Sequence, residues 1–500
     1  LKNKSHRATC LAVFGTGSDV GKSVVTTGLC RVLRRQGLQV APYKAQNMSN
    51  NSGVTPEGLE MGRAQIVQAE AAGIAPHVDM NPILLKPTSD VGSQVVLLGT
   101  AQANQTALEY HRHKETLYTI ACKALDRLRD QYDLVLLEGA GSCAEVNLQA
   151  HDIVNFKMAE SADAPVILVA DIHRGGVFAQ VVGTLACLPP ERQDRIAGMI
   201  INRFRGDLRL FEDGIEWIQK QTGKPVLGVL PWYDHFVIEQ EDSVVIEKPS
   251  AVRSADHQGP MIAVIRIPHI SNFTDFDPLL LLDGVDVHFL EKVQSLDDFK
   301  VVILPGSKNT RFDLEWLHRR GWAAEIDRFS NDGGAILGIC GGYQMLGQWV
   351  HDPEGLEGAP GKTPGLKLLP VETVLKAPKT TTRTIFELDG LDGRGYEIHM
   401  GQSLMRGGQH LLEIKDRNGE AVDDADGCQL AAGRIAGTYI HGLFESPNIT
   451  RWWLDRWGLN DIQVVGMEGP EARDQAYDQL ADHVERYINM PSIMELIRTS

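Results

Sequence analysis

The sequence predicts an α/β protein made of two successive domains, each on a parallel sheet, with helices at the end. Three observations carry that expectation. Short β-branched runs alternate with helical stretches, a polar segment breaks the alternation once near the middle, and 500 residues exceed what one hydrophobic core usually organises. The first runs, in chain order, are CLAVF (10–14), LQVAPY (38–43), DLVLLE (133–138), PVILVAD (165–171), IAGMIIN (196–202) and PVLGVLP (225–231). Strands spaced by helical stretches read as βαβ units, whose crossovers leave neighbouring strands parallel. The irregular IEQEDSVVIEKPSAVRSADHQGP (238–260) then marks a connection. A second set follows: MIAVIRI (261–267), VDVHFL (285–290), KVVILPG (300–306), GAILGIC (334–340), GYEIHM (395–400) and IAGTYIHG (435–442). Beyond Asn448, WWLDRW and the apolar period from Leu480 to Ile488 predict helices. The expected division is a first domain over 1–240, a linker over 241–259, a second domain over 260–450 and C-terminal helices over 451–500.

Bulk charge narrows the partners. A formal charge of −16 offers no basic face for nucleic acid or an anionic membrane, so neither is expected and anionic ligands must be held locally. The seven cysteines form no C-x-x-C pair, which argues against a disulfide framework or a zinc site and suits reduced thiols in the cytoplasm. The start LKNKSHR is basic, but the apolar run behind it is too short for a signal-peptide core. No run is long enough to span a bilayer.

The first chemical signal is GTGSDVGKS at 15–23, directly after a strand-like run and before a helical pattern. In that setting backbone N–H groups and the positive helix end surround a polyphosphate, Lys22 adds a point charge, and Ser23 offers a hydroxyl to Mg²⁺. Thr16, Gly17, Gly21, Lys22 and Ser23 are therefore the expected ATP-binding residues. The spacing departs from G-x-x-x-x-G-K-S, because Thr16 stands at the first glycine. Glu138 ends a buried strand, where open α/β sheets bind ligands and a carboxylate is well placed for Mg²⁺. Glu60, in GLEMGRAQ, is a second metal candidate on an expected amphipathic helix, where a solvated glutamate is the competing reading.

The pattern G-T-x-x-x-V-G-K-S resembles the P-loop of dethiobiotin synthetase and its relatives, the cobyric and cobyrinic acid amide synthases. That resemblance implies a P-loop NTPase-like first domain that uses ATP to activate a carboxylate. It also implies that Lys44, in PYKAQNMSNNS, contacts phosphate or the substrate carboxylate, and that Asp152, in NLQAHDIVNF, faces the reacting carboxylate. A solvated lysine and a helix-capping aspartate are the alternatives.

An activated carboxylate needs ammonia, and a second motif offers a source. ILGICGGYQMLG (336–347) places Cys340 between a strand and a helix in the form of a nucleophile elbow, with the Gly341 N–H aimed at a developing oxyanion. A small buried cysteine is the alternative. The second half resembles class I glutamine amidotransferases: Gly306 and Ser307 after a strand would give the second oxyanion donor, and His441 in GTYIHG the general base. His399 in RGYEIHMG is a rival, kept as a substrate-side or structural residue. Class I triads carry a glutamate two residues after the histidine, where this chain has Leu443; Glu445 is the nearest carboxylate in sequence. A slow Cys-His dyad is therefore expected.

YKAQNMSNNSGVTPEGLEMGRAQ, NPILLKPTSD, ADIHRGGVFAQ and PHISNFTDFDPL look like the cobyric acid synthase branch of that group. The resemblance implies ATP- and glutamine-dependent amidation of the b, d, e and g carboxylates of adenosylcobyrinic acid a,c-diamide. The sister cobyrinic acid a,c-diamide synthases are one alternative, although they carry a K-x-G-P-D-Y-I-D-P type segment after the second strand, where this chain reads YKAQNMSNNSGVTPEGLEMGRAQ. Two further alternatives remain at this point: a partitioning-type ATPase switch, and an amide synthetase whose second half is an inactive docking module.

Overall fold

The structure, a computed structural model, describes residues 7–89, 92–233, 259–464 and 469–499. Residues 1–6 of the basic start and all of the expected 241–259 linker except Gly259 fall outside them. The first sheet has six strands in the order Val226–Pro231, Ile196–Phe204, Val166–Asp171, Thr9–Gly15, Leu134–Glu138, Val40–Tyr43, and every pairing is parallel. All five residues of Leu134–Glu138 are buried, as are all six of Val166–Asp171. Continuous apolar runs of this kind belong to sheets covered on both faces.

Between Tyr43 and Leu134 the chain inserts a smaller sheet that the sequence reading did not anticipate. Its order is Gln46–Met48, Ile83–Ser89, Gly92–Leu97, Thr100–Thr106. Beside it Ser52–Val54 pairs with Glu60–Gly62. Glu60 thus lies on a short strand, not on the expected amphipathic helix.

The second domain repeats the architecture. Its sheet runs Asp286–Leu290, Met261–Ile265, Phe299–Leu304, Ala335–Ile339, Ile435–Thr438, Cys428–Leu430, and only the last pair is antiparallel. Two further four-stranded sheets fill the stretch from Trp349 to Asp426. GYEIHM falls in one of them, in the antiparallel partner of Thr380–Leu388.

The terminal helices divide between the domains. Pro447–Arg456 packs into the second core through Ile449, Trp453 and Leu454. Gly469–Tyr487 and Met490–Thr499 return to the first domain, where Leu480, Val484, Ile493 and Ile497 share a core with Leu29, Val32 and Leu33 of the helix Lys22–Arg35. Contact is close enough that a Cβ on Gly28 would meet Val484 at 2.6 Å. Arg31 fastens the join with bonds of 2.7 Å to Asp478 and 2.8 Å to Asp474.

Candidate active sites

The first site lies at the C-terminal ends of the first sheet. Thr16 continues the sheet, its N–H donating to the Val169 carbonyl at 3.0 Å, and the loop then turns into the helix starting at Lys22. Gly21 sits at φ +91°, and a Cβ there would stand 2.1 Å from the Asn202 amide, so glycine is required twice over. Lys22 donates to the carbonyls of Gly17 at 3.0 Å and Gly141 at 3.1 Å, joining the loop to the segment after Glu138. The Glu138 carboxylate accepts from Ser23 Oγ at 2.9 Å and Lys44 Nζ at 3.0 Å on one oxygen, and from Gln68 on the other. Lys44, 3% exposed, is a buried partner of that carboxylate and not a solvated lysine.

A cavity of about 410 Å³ opens beside these groups; Lys22, Ser23, Lys44, Asn47 and Asp152 line it. Asp152 is not the N-cap of the following helix, a position Asn155 holds, but it lies just ahead of that helix and on the cavity wall. Its carboxylate accepts the N–H groups of Val154 at 2.9 Å and Asn155 at 3.0 Å, ordering the turn before the helix Phe156–Ala162, and it also borders the cavity. Lys114, on the same wall, was not singled out from sequence. Burial lowers its ammonium's titration, with Asp152 opposing and Lys157 adding to the shift. No local motif marks it; only the fold brings it to the loop after Glu138.

Glu60 stands apart from this group. One oxygen accepts from Ser52 Oγ at 2.8 Å and Lys86 Nζ at 2.7 Å, the other from Lys379 Nζ of the second domain at 2.7 Å. Burial opposes its ionisation, but Lys379 and Lys86 outweigh burial and hold the carboxyl well below the usual carboxylate range. Both oxygens of Glu60 are engaged by ammonium groups at a domain junction, so in this structure it is an ion-pair partner of Lys86 and Lys379 and stands outside the Ser23–Glu138 pair with which it was expected to share a metal.

The second site is built on the elbow. Cys340 lies at φ +52°, ψ −107°, between the strand Ala335–Ile339 and the helix Gly341–Leu346. This strained backbone presents the side chain on a turn, and it is possible because the glycines let the elements close up: a Cβ on Gly342 would stand 2.0 Å from the Leu304 carbonyl. Gly341 and Ser307 are equally close, a Cβ on Gly341 falling 2.6 Å from the Ser307 nitrogen. The Gly306–Ser307 strand thus lies against the elbow, and a Cβ on Gly306 would fall 3.1 Å from Cε1 of His441.

His441 is fully buried. Its Nδ1 is 2.7 Å from Asp275 Oδ2, and the other oxygen of Asp275 accepts the Gly442 N–H at 2.9 Å. The Tyr396 ring stacks on the imidazole at a centroid distance of 5.2 Å. Nε2 has no hydrogen-bond partner among the described residues, and the Cys340 thiol, which acts electrostatically on the ring, donates to the Ile398 carbonyl at 3.6 Å. Burial disfavours the imidazolium, yet Asp275 and then Cys340 outweigh it and push its titration up to about 10.

Asp275 is the residue the sequence reading missed. It lies far from both partners in sequence, within PHISNFTDFDPL, and nothing in that string marks one of its carboxylates as buried. Leu443, at the position of the class I glutamate, is core. Glu445 turns away to Arg473 at 2.8 Å and Arg63 at 3.6 Å. His399 stacks on Tyr439 at 3.7 Å and bonds the Gly401 carbonyl at 3.2 Å, so its ring is held outside the Cys340–His441 pair.

A phosphate-suited cavity in one domain and a thiol, imidazole and carboxylate in the other define a class, the glutamine-dependent amidating ligases. Residues 11–244 match the CobQ/CobB/MinD/ParA nucleotide binding domain, and residues 261–449 the CobB/CobQ-like glutamine amidotransferase domain. Cobyric acid synthase of Chlorobaculum tepidum is 50% identical, with 98% of each chain covered. The cobyric acid synthase of Chlorobium phaeobacteroides strain BS1 is 51% identical over 97% of this chain and 99% of its own. That of Syntrophobacter fumaroxidans is 44% identical over 98% and 99%. The chain belongs to the cobyric acid synthase family, which sets aside the partitioning-type switch.

Proposed function

We propose that the chain amidates the b, d, e and g side-chain carboxylates of adenosylcobyrinic acid a,c-diamide, giving adenosylcobyric acid, with ATP and glutamine as co-substrates. The observation that carries this reading is the pairing, in one chain of this family, of the Lys22–Lys44–Glu138 cavity with the Cys340–His441–Asp275 set.

A carboxylate resists attack by ammonia, so its oxygen first takes the γ-phosphoryl group of ATP, releasing ADP and leaving an acyl phosphate. Lys22 and Lys44 provide fixed positive charge where phosphate charge develops. The Ser23 hydroxyl and the Glu138 carboxylate, 2.9 Å apart, form an all-oxygen pair suited to Mg²⁺ shared with phosphates. These two residues would hold Mg²⁺, which would neutralise phosphate charge. Met48 and Leu148, 54% and 45% exposed, line the same cavity and give a flat macrocycle an apolar rim, while Lys114 gives its propionates a cation.

In the second domain the Cys340 thiolate attacks the carboxamide carbon of glutamine. The oxyanion lies within reach of the N–H groups of Gly341 and Gly306, and His441 protonates the departing ammonia. Water then hydrolyses the thioester to glutamate and frees the thiol. Ammonia attacks the acyl phosphate and expels phosphate, so each amide consumes one glutamine, one ATP and one water. The reading places the enzyme in the cytoplasm, where both co-substrates are found; the seven free thiols are compatible with it.

Cys340→Ala tests the division of labour. Glutamine-dependent amidation should fall by at least about 10⁴-fold, while concentrated ammonium still drives four amidations counted by mass spectrometry. Persistence of glutamine use, or failure of ammonium to rescue, overturns the reading.

A further inference from the structure

The carboxylate that orients His441 belongs to a segment gripped by the other domain. Ile270–Ser271 pairs antiparallel with Gly306–Ser307, the strand beside the elbow. Phe273–Phe276 is one 3-10 turn, in which the Asp275 N–H donates to the Asn272 carbonyl at 3.0 Å. Asn272 stands between them at φ +51°, ψ +43°, a left-handed conformation that asparagine tolerates better than most residues.

Asn272 Oδ1 accepts the Ser52 N–H of the first domain at 3.0 Å, and Asn51 Oδ1 accepts the Phe273 N–H at 3.1 Å in return. Asn51, Ser52 and Asn272 are all 2% exposed or less. This exchange satisfies two buried backbone donors, which would be costly to leave unpaired. Ser52 is fixed in its turn, since its hydroxyl donates to Glu60, whose other oxygen holds Lys379 of the second domain. On the other side of Asn51 the chain runs directly back to Met48 and Asn47 in the wall of the nucleotide cavity.

We propose that Asn51 and Asn272 are positioning residues of the glutaminase, through which the first domain holds residues 270–276 so that Asp275 faces His441 and Gly306–Ser307 faces Cys340. The proposal rests on the assignment of Cys340, His441 and Asp275 made above. A displacement of about 1 Å in a catalytic group can cost about 10²-fold in rate, and this pair fixes the one segment that carries both the base's partner and the oxyanion strand's partner.

The full chain tests it with three variants. Asn272→Gly keeps the left-handed backbone but removes Oδ1; Asn272→Asp keeps both; Asn51→Ala removes the returning acceptor. Asn272→Gly and Asn51→Ala should lower kcat for glutamine-dependent amidation by about 10- to 100-fold, with KM for glutamine and ammonium-dependent turnover changed by less than about twofold. Asn272→Asp should recover most of the glutamine-dependent kcat. Equal loss of the glutamine- and ammonium-dependent reactions would mean a structural joint and overturn the proposal, as would an unchanged glutamine kcat. Asp275→Asn, measured alongside, separates the two ideas. If it also leaves glutamine turnover intact, the triad assignment fails; if it alone lowers turnover, only the role of the asparagine pair fails.

Discussion

The two sites solve opposite problems. The nucleotide site is an open cavity of about 410 Å³ whose charges, Lys22, Lys44, Glu138 and Asp152, are set around space for a large ligand. At the glutaminase site the cysteine is 4% exposed and the histidine 0%, with a single carboxylate, Asp275, behind them. Phosphoryl transfer is served by many fixed charges that need not move, whereas thiol chemistry is served by one buried proton relay. The lesson is that each site has one part specified by contiguous sequence, the phosphate loop and the nucleophile elbow, and another that only packing supplies.

That difference governs what could be read from the chain. GTGSDVGKS is one loop, so its five named residues, Lys22 among them, come from a single string. The nucleophile elbow is also local, and Cys340 was legible for the same reason. His441 became legible only through resemblance. Asp275 was not, because an imidazole's partner is defined by a 2.7 Å contact between segments 166 positions apart. The inserted sheets escaped for a related reason. Strands such as Thr380–Leu388 carry few β-branched apolar runs, and their burial alternates, so they do not resemble the buried parallel strands beside them. The ion pairs of Glu60 were not legible either, because its lysine partners, Lys86 and Lys379, come from a hairpin and from the other domain.

The contrast can be broken or sharpened by substitution. The broadest effect is expected at Lys22→Ala, which should lower amidation from glutamine and from ammonium alike by at least about 10³-fold in steady-state assays. Retention of the ammonium reaction would show that the open site does not depend on its charges. Asp275→Asn should lower glutamine-dependent kcat by about 10²-fold and leave ammonium-dependent turnover intact. Asp275, aided by Cys340, keeps His441 protonated up to about pH 10, with Tyr396 stacked on the ring as the other titratable neighbour. Without that carboxylate the imidazolium loses its proton earlier, so the alkaline limb of the glutaminase profile should move down by about one pH unit or more. An unmoved limb would dissociate Asp275 from the base.

A smaller effect, on stability and not on chemistry, is expected at the junction between the two sites. Glu60→Gln leaves Lys86 and Lys379 buried without their carboxylate and should cost about 3–5 kcal/mol in thermal or denaturant unfolding. The Glu60 carboxyl is depressed in the folded state, so its stabilisation is present above the unfolded value of about 4.3 and fades as pH falls below it. The variant should therefore be less sensitive to acid than the parent over that range. Equal acid sensitivity in both would assign the junction's strength elsewhere.

The helix Gly469–Tyr487 covers the flank of Lys22–Arg35. A ribosome delivers that cover only after it has translated the whole amidotransferase half. The apolar flank of Lys22–Arg35, made early, is completed only by residues made much later. Completion of the nucleotide-binding core is thus left to a segment synthesised after the domain that supplies its nitrogen.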